Sequence, residues 1–314
     1  MPIRPKTRRR LLLLLVITVV IVGSAATAFI YRKQQIRQEL LAKRDAGMQA
    51  LEEGDYFTAL HNVGTYLNKY PEDVEAVYAY AVARQEVAEP GGAHLGQAIA
   101  FFRRVLELDP QHAEARKHLL ELYAHPQVGF HTEALDLATQ QLERDPDNIR
   151  AIRAKARGLT GLRRFEEALP LAERYAAEQP RDFEGHVLLL SLYRQLDAPK
   201  HSFIAHADAV AKELPGDPIG PLVQAFAYLY VNDREEALEW AAVAAEQTPP
   251  DADYAKRVAS VFDSLGKYGL AEQYLVNVTA GDAPSGLLGT LAHRLWQSGR
   301  IGALLQRLEP IQHD

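Results

Sequence analysis

A helical hairpin that recurs along the chain is the feature that most constrains its fold. The marker is an alanine followed twelve residues later by a proline, and five such pairs recur at intervals close to one or two repeat lengths. The five pairs are Ala59/Pro71, Ala98/Pro110, Ala134/Pro146, Ala168/Pro180 and Ala237/Pro249. Successive alanines are 39, 36, 34 and 69 residues apart, and the last interval is close to two periods. Because one hairpin cannot bury its own apolar face, consecutive copies are expected to stack on one another.

Residues 149–182 form the clearest copy. Their pattern predicts two helices, at about 149–162 and 165–178, joined by a tight polar turn. Apolar residues of the second helix recur at spacings of three and four, which places them on one face. Pro180 ends this helix because proline lacks the amide hydrogen. The small alanine of the second helix lets the two helices of a copy approach closely.

The repeat resembles the tetratricopeptide repeat family, whose period is 34 residues. Two copies end in phrases typical of that family, LELDPQH at 106–112 and LERDPDN at 142–148. The resemblance implies an all-α fold, in which 40–314 form a right-handed α-solenoid of seven to eight helix pairs. The repeat frames are 40–73, 74–112, 113–148, 149–182, 183–217, 218–251 and 252–284, with a partial copy at 285–314.

Several copies depart from the family pattern, among them the second and the fifth. The second copy is five residues longer than the period, and its loop at 89–97 is expected to bulge between the two helices. The fifth copy has Ser202 and Phe203 where the alanine is expected, and Pro199 stands in its turn.

The N-terminus predicts a single membrane anchor. Residues 11–31 are an uncharged, mostly apolar run of 21 residues, long enough to cross a hydrocarbon core of about 30 Å as a helix. Five basic residues precede the run, and 32–39 form a linker to the repeats. The positive-inside rule places the basic tail, 1–10, in the cytoplasm. The repeats would then be extracytoplasmic, in the periplasm of a Gram-negative cell.

Two other topologies stay open. Small residues at 26–28 fit a signal-peptidase pattern, so cleavage near Ala28 would release a secreted protein. Against cleavage, the apolar run continues through Tyr31 to a basic stop. In the third topology the repeats stay in the cytoplasm, since the charge bias across the apolar run is modest.

Composition excludes several functions. Residues 1–33 hold seven basic and no acidic residues, which leaves 28 basic against 41 acidic residues in the remainder, a net charge of about −13. Such a body is repelled by phosphate backbones, so no nucleic acid is expected as a partner. The chain has no cysteine, and the histidines at 112, 118, 125 and 131 lack the spacing of metal ligands. Since no catalytic or phosphate-binding motif is present, we expect no cofactor, no metal and no enzymatic activity.

The resemblance also predicts a binding surface. In this family, partners commonly lie across positions 2, 5, 9 and 12 of successive first helices. In the fourth copy three of these positions are Arg150, Arg153 and Arg157. Guanidinium groups pair well with carboxylates, so these arginines would either pair with neighbouring acids or bind an acidic segment or C-terminal carboxylate of a partner. The neighbouring acids are Glu114, Glu121 and Glu184.

The same positions give further candidates in other copies. The third copy supplies Lys117 and the fifth supplies Arg194. In the sixth copy these positions are apolar and include Leu222 and Phe226. If exposed, they would form an apolar binding patch. Alternatively, the superhelix or an additional segment covers them.

The sequence therefore predicts a non-catalytic scaffold, anchored in the membrane by 11–31, that binds a protein or peptide in its concave groove. The alternative is an exported accessory subunit of an envelope-biogenesis or secretion complex whose catalysis lies in another subunit. A catalytic role for this chain itself has no motif in its favour.

Overall fold

The structure, a computed structural model, describes the backbone at residues 5–125, 127–279 and 285–297. Side chains are described from 22 to 296 within these ranges, except at 25, 26, 90, 285 and 286. The described chain forms fifteen α-helices and a 3-10 turn at Pro90–Gly92, with no strand among them, which confirms the all-α prediction. The helices are α1 (Pro5–Glu52), α2 (Tyr56–Leu67), α3 (Val74–Glu86), α4 (Ala93–Leu108), α5 (Ala113–Tyr123), α6 (His131–Arg144), α7 (Ile149–Gly161), α8 (Phe165–Glu178), α9 (Phe183–Gln195), α10 (Lys200–Glu213), α11 (Ile219–Tyr230), α12 (Arg234–Glu246), α13 (Ala252–Ser264), α14 (Tyr268–Val278) and α15 (Ser285–Gln297).

The chain divides into two compact units, with the division between Val128 and Gly129. Unit 1 contains α1 to α5, and unit 2 contains α6 to α15. The division falls inside the third predicted copy, 113–148, between its two helices. A single superhelix from 40 to 314 stays a prediction, as do the repeat frames.

Within each unit, every helix packs against the next one in sequence. In unit 2 the odd-numbered helices also contact one another in order, α7 with α9, α9 with α11, and α11 with α13. These four helices carry the first-helix positions of the predicted copies, and we call them the first-helix layer. Each even-numbered helix from α8 to α12 packs against the two odd-numbered helices that flank it in sequence. This is the arrangement expected when copies of one hairpin stack side by side.

Small residues explain how closely these helices pack. The five marker alanines have no exposed surface, and neither has Ala271, which stands 34 residues after the last of them; the five are Ala59, Ala98, Ala134, Ala168 and Ala237. A Cβ atom at Gly158 on α7 would lie 2.8 Å from the backbone oxygen of His131 on α6, nearer than a side-chain carbon can come. Helices α6 and α7 therefore touch through their backbones, and a larger residue at 158 would force them apart.

A polar residue fourteen positions after each paired alanine starts the next first helix. Its side chain accepts a hydrogen bond from a backbone N–H of the first turn, where the helix leaves donors unpaired. The five capping residues are Asp73, His112, Asn148, Asp182 and Asp251, with bonds of 3.1, 3.2, 3.1, 3.1 and 2.7 Å. With the proline before it, this cap fixes where one helix pair ends and the next begins.

Two local predictions have different outcomes. The predicted helix limits of the fourth copy are confirmed, since α7 and α8 begin and end within one residue of them. The loop expected at 89–97 is shorter than predicted, because α4 already begins at Ala93. Gly91 and Gly92 make the tight turn before it with positive φ angles, which glycine adopts because it has no Cβ.

Helix α1 has 48 residues and runs without a break through the predicted span at 11–31 and the linker at 32–39. Most side chains of the predicted span lie outside the described residues. Among the residues that are described, no helix is long and apolar enough to cross a membrane. The last part of α1 packs against α2 and serves as the first helix of the first helix pair.

Two histidines form a polar pair between α9 and α10. His186 has no exposed surface, and its Nδ1 lies 3.1 Å from Nε2 of His206. The Nε2 atom of His186 lies 2.8 Å from the backbone oxygen of Pro180, so it must carry a hydrogen and donate it. Nδ1 of a neutral His186 then accepts the N–H of His206. Burial lowers the pKa of His186, and burial together with the neighbouring His186 lowers the pKa of His206 to about 4.

We expect this pair to make the stability of the chain depend on pH. A histidine of the unfolded chain takes up a proton near pH 6.5, whereas folded His206 stays neutral down to about pH 4. The contribution of neutral His206 to the free energy of unfolding is therefore fully present above pH 6.5. It falls by about 2–3 kcal/mol as the pH drops from 6.5 towards 4. Urea unfolding of the full chain at pH 7.5 and at pH 4.5 measures this loss.

A matched pair of variants separates this effect from general acid sensitivity. His206→Gln keeps an N–H donor for His186 but removes the titrating group, so the pH dependence should become flatter. His201→Gln changes an exposed histidine of the same helix and should leave the pH dependence intact. An unaltered profile for His206→Gln would contradict the assignment.

Candidate functional site

Four arginines lie together with carboxylates and aromatic rings on the first-helix layer of unit 2. We call them the arginine cluster: Arg153 and Arg157 on α7, Arg194 near the end of α9, and Arg257 on α13. The carboxylates belong to Asp182 and Glu184, at the start of α9. Three of the four arginines, Arg153, Arg157 and Arg194, and the carboxylate of Glu184 come from the positions that the sequence predicted.

Glu184 is the centre of the arginine cluster. Its Oε2 lies 3.3 Å from Nη2 of Arg157, and its Oε1 lies 2.9 Å from Nη2 of Arg257. Because Arg257 is 73 residues further along the chain, this carboxylate ties α9 to α13 across the intervening α11. All three side chains keep only about a quarter of their surface exposed. Water therefore screens the bridge only in part, and the two guanidinium groups are held in place.

Burial changes the electrostatics of Arg157. It lowers the pKa of the guanidinium, the Glu184 carboxylate opposes this shift, and the neighbouring Arg153 adds to it. The guanidinium stays charged at any physiological pH because the unperturbed pKa of arginine is above 12. A charged group that has lost part of its water gains from a nearby anion. The surface beside Arg157 is therefore favourable for a carboxylate.

Arg153 has a set of partners with a structural role. Its Nη1 lies 3.4 Å from Oδ2 of Asp182, and its guanidinium lies 5.5 Å from the centre of the Tyr175 ring. The Tyr175 hydroxyl donates a hydrogen bond to Asp182, and burial followed by this bond raises the pKa of Tyr175. Since Asp182 also caps α9, Arg153 joins the first helix of one pair to the start of the next.

Unit 1 contains the same arrangement. Arg44 donates to Asp73 at 2.8 Å, and the Tyr66 hydroxyl donates to the same carboxylate at 2.9 Å. In both units the arginine stands fifteen residues before the marker alanine, the tyrosine seven after it and the aspartate fourteen after it. This recurrence at fixed spacing explains Arg153 by the packing of helix pairs, without a ligand.

The remaining basic residues of the prediction lie apart from this bridge. Arg150 is exposed in the first turn of α7. Lys117 belongs to unit 1, where its Nζ lies 3.4 Å from Oε2 of Glu114 one turn earlier on α5. The predicted arginines were expected either to pair with neighbouring acids or to bind a partner. Arg157 does pair with a neighbouring acid, Glu184.

Arg194 differs from the other members of the cluster. Its guanidinium lies 4.9 Å from the centre of the Tyr230 ring, at cation–π distance. Burial raises the pKa of Tyr230, while the charges of Arg194 and Arg157 lower it, which shows that both arginines lie near this ring. Among the described residues, no carboxylate forms an ion pair with Arg194. Its charge is therefore available at the surface.

Of the two residues named for the predicted apolar patch on α11, only Phe226 keeps exposed surface. Leu222 has no exposed surface because it packs into the core of unit 2, so it cannot contact a partner. Phe226 is half-buried, and its ring meets the ring of Phe183 edge-on with centres 4.9 Å apart. The Arg257 guanidinium lies 4.9 Å from the centre of the Phe183 ring. The chain itself thus covers Leu222, and Phe226 borders the arginine cluster.

The arginine cluster carries positive charge in an acidic chain. Its four guanidinium groups face two carboxylates, an excess of two positive charges, whereas the chain after residue 33 carries about −13. A local excess of this kind attracts anionic groups. With Tyr230 and Phe226 at its border, the cluster is suited to bind a carboxylate that stands next to an apolar side chain.

Sequence reasoning missed Arg257, Asp182 and Tyr230. The prediction used positions 2, 5, 9 and 12 of each first helix. In the seventh copy, which begins at 252, position 5 is residue 256, one residue before Arg257. Asp182 would have been found by comparing copies, because an aspartate stands at the same distance from the marker alanine in unit 1. Nothing in the sequence indicates that Tyr230 supports Arg194, because they belong to different copies.

The histidines around the third copy have local contacts. His112 caps α5 through its Nδ1. Nδ1 of His118 lies 3.0 Å from Oε1 of Gln85, and its ring stacks on Phe102 with centres 4.7 Å apart. Burial lowers the pKa of His118, so its ring is neutral at pH 7. In the part of the chain that the structure describes, no group of three potential ligands could hold a metal ion.

Removing the charge of Glu184 should destabilise unit 2. Glu184→Gln leaves Arg157 and Arg257 without their shared carboxylate, and we expect the free energy of unfolding to fall by about 1–3 kcal/mol. Glu167→Gln is the matched control, since Glu167 pairs with Arg164 at 2.7 Å on the open surface and its loss should not change the melting temperature. Thermal unfolding followed by circular dichroism measures both; equal melting of the two variants would refute the central role of Glu184.

Solved structures resemble the chain in fold. A tetratricopeptide repeat protein from Parabacteroides merdae superposes with a TM-score of 0.50 at 17% identity, and the match covers 78% of this chain and 95% of that protein. MamA from Desulfovibrio magneticus RS-1 gives a TM-score of 0.46 at 18% identity, over 55% of this chain and 94% of its own. Neither a family model nor a curated protein sequence matches the chain. The stacked helix pairs and the first of these likenesses show that the chain has the tetratricopeptide repeat fold.

Proposed function

We propose that the chain is a non-catalytic scaffold that binds a protein or peptide on the first-helix layer of unit 2. The contact site is the arginine cluster, and the ligand is an acidic segment or a C-terminal carboxylate of the partner. The observation that carries the proposal is the excess of two positive charges at this cluster in a chain that is otherwise acidic.

Arg194 is the residue that an incoming carboxylate meets first. It is exposed, and its guanidinium lies over the ring of Tyr230. A guanidinium presents paired N–H donors that match the two oxygens of a carboxylate. Because Tyr230 restricts the Arg194 side chain before binding, less conformational entropy is lost when the ligand arrives.

Arg157 and Arg257 strengthen the same site. Glu184 contacts one Nη2 atom of each, and a guanidinium has five N–H donors, so each arginine can accept a second carboxylate. Phe226 offers an apolar surface for the side chain next to that carboxylate. Binding of this kind needs positioned donors and an apolar wall but no reactive group, which favours a binding protein over an enzyme.

The proposal also places the scaffold at a membrane. Its support is the uncharged run at 11–31 with five basic residues before it. The apolar run continues past Ala28 through Tyr31 to a basic stop, which favours an uncleaved anchor over a signal peptide. By the positive-inside rule, the tail at 1–10 is cytoplasmic and the helix pairs are extracytoplasmic.

The binding site is tested by crosslinking on native membranes. Arg194→Glu should lower the yield of the crosslinked partner at least tenfold, because a hydrogen bond to a charged group contributes about 1.5–3 kcal/mol. Arg194 is a better target than Arg153 or Arg157, whose reversal would also break their ion pairs with Asp182 and Glu184.

The matched control is Lys212→Glu, which reverses an exposed charge on α10 and should leave the yield unchanged. Capture by wild type should also weaken as salt is raised, since the attraction is electrostatic. If Arg194→Glu captures its partner as well as wild type does, the arginine cluster is not the binding site.

The topology is tested by protease treatment of spheroplasts. An extracytoplasmic scaffold should be degraded from outside in intact spheroplasts, leaving a short membrane-bound fragment that contains the N-terminal tail. A cytoplasmic marker protein should survive the same treatment. Helix pairs that stay uncut until the membrane is dissolved would show that they are cytoplasmic.

A further inference from the structure

Unit 1 carries a second basic surface. A groove of about 470 Å³ lies between one face of α1 and the turn after α2. We call it the basic groove; its cations are Arg32, Lys33, Arg37 and Lys69, and its exposed apolar residues are Phe29 and Ile36. None of the described residues that line it is acidic.

The cations of the basic groove have no carboxylate partner in the part of the chain whose side chains are described. Arg44, further along the same helix, does have carboxylate partners. Arg44 lies 2.8 Å from Asp73 and 2.6 Å from Glu75. Four like charges gathered without a counter-charge repel one another, so an anion that enters the groove relieves this repulsion.

The apolar residues of the groove narrow the choice of anion. Phe29 is 69% exposed and Ile36 is 47% exposed, and both stand on the same face of α1 as the cations. A free inorganic anion would use the cations alone and leave these side chains in water. A ligand with an anionic head and an apolar tail uses both parts of the surface.

The position of the groove on α1 points to the source of such a ligand. Arg32 follows the predicted span directly, and at about 1.5 Å per residue Arg37 stands about 9 Å beyond its end. A bilayer has a hydrocarbon core of about 30 Å within a total thickness of about 40–45 Å, so the headgroup layer on each side is about 5–8 Å thick. Arg32 falls within this layer, and Arg37 stands just outside it, where its long side chain can reach back to the headgroups. Phe29 then lies at the edge of the hydrocarbon.

We infer that the basic groove binds an anionic phospholipid of the membrane that holds α1. The phosphate contacts Arg32, Arg37 and Lys69, the upper acyl chain lies against Phe29, and the headgroup covers Ile36. This inference rests on the proposed membrane anchor. It also accounts for basic residues on the translocated side of the span, which the positive-inside rule disfavours.

The test measures lipid retention by the full chain in micelles of a neutral detergent mixed with phosphatidylglycerol or phosphatidylcholine. Native mass spectrometry counts the lipids that stay bound. Wild type should retain phosphatidylglycerol in preference to phosphatidylcholine. Arg37→Gln with Lys69→Gln should weaken this retention about 30-fold, since each cation near an anionic lipid contributes about fivefold. Lys212→Gln with Lys267→Gln removes two exposed cations of unit 2 and should leave retention unchanged.

Three outcomes would overturn the inference: equal retention of both lipids by wild type, unchanged retention in Arg37→Gln with Lys69→Gln, or displacement of the lipid by free glycerol phosphate at equal concentration. Circular dichroism checks that the variants are folded.

Carbonate extraction of native membranes tests the anchor separately. A chain that is extracted yet retains phosphatidylglycerol refutes the anchor and keeps the groove, whereas a chain that resists extraction without lipid preference refutes the groove alone.

Discussion

The close approach of neighbouring helices at small residues is the constraint on which the rest of the structure depends. Where a marker alanine such as Ala168 stands, it is fully buried and the second helix packs closely on the first. The fifth copy tests this rule, because Phe203 replaces the alanine there. Phe203 is buried, and α9 and α10 make the loosest contact among consecutive helices of unit 2. A large ring holds the two backbones apart, and the polar His186–His206 pair bridges part of the space between them.

The spacing between neighbouring helices determines which side chains meet on the first-helix layer. Helices that stand at a regular distance bring residues from distant copies together, as Glu184 and Arg257 show. The same regularity explains why one arginine of the predicted stripe is structural. Arg153 and Arg44 hold the same place relative to a marker alanine and bond to the aspartate that caps the next helix. Arginines that break this recurrence, above all Arg194, are the better candidates for contact with a partner.

The sequence predicted the parts of the fold that depend on local spacing. Helix type, the limits of α7 and α8, and the burial of the alanines follow from residues fewer than fifteen positions apart. The site depends on contacts over longer distances, so only part of it could be predicted. Arg257 reaches Glu184 across 73 residues, and the depth at which Leu222 is buried depends on several helices at once. The division after Val128 has no signal in the repeat spacing, since the third copy has an ordinary length.

Glu184 determines how selective the arginine cluster can be. Without it, Arg157 and Arg257 would present two uncompensated charges to any anion, and the site would bind nucleic acid, phosphate and acidic protein alike. With Glu184 in place, both arginines are already paired. A competing anion must match the geometry of a carboxylate, or its own interactions with the arginines will be weaker than those of Glu184 that it displaces. At the proposed site, a ligand then makes its first contact with Arg194, which lies over the ring of Tyr230. Under the proposed function, a carboxylate supplied by the chain itself thus favours ligands that place a second carboxylate beside this ring.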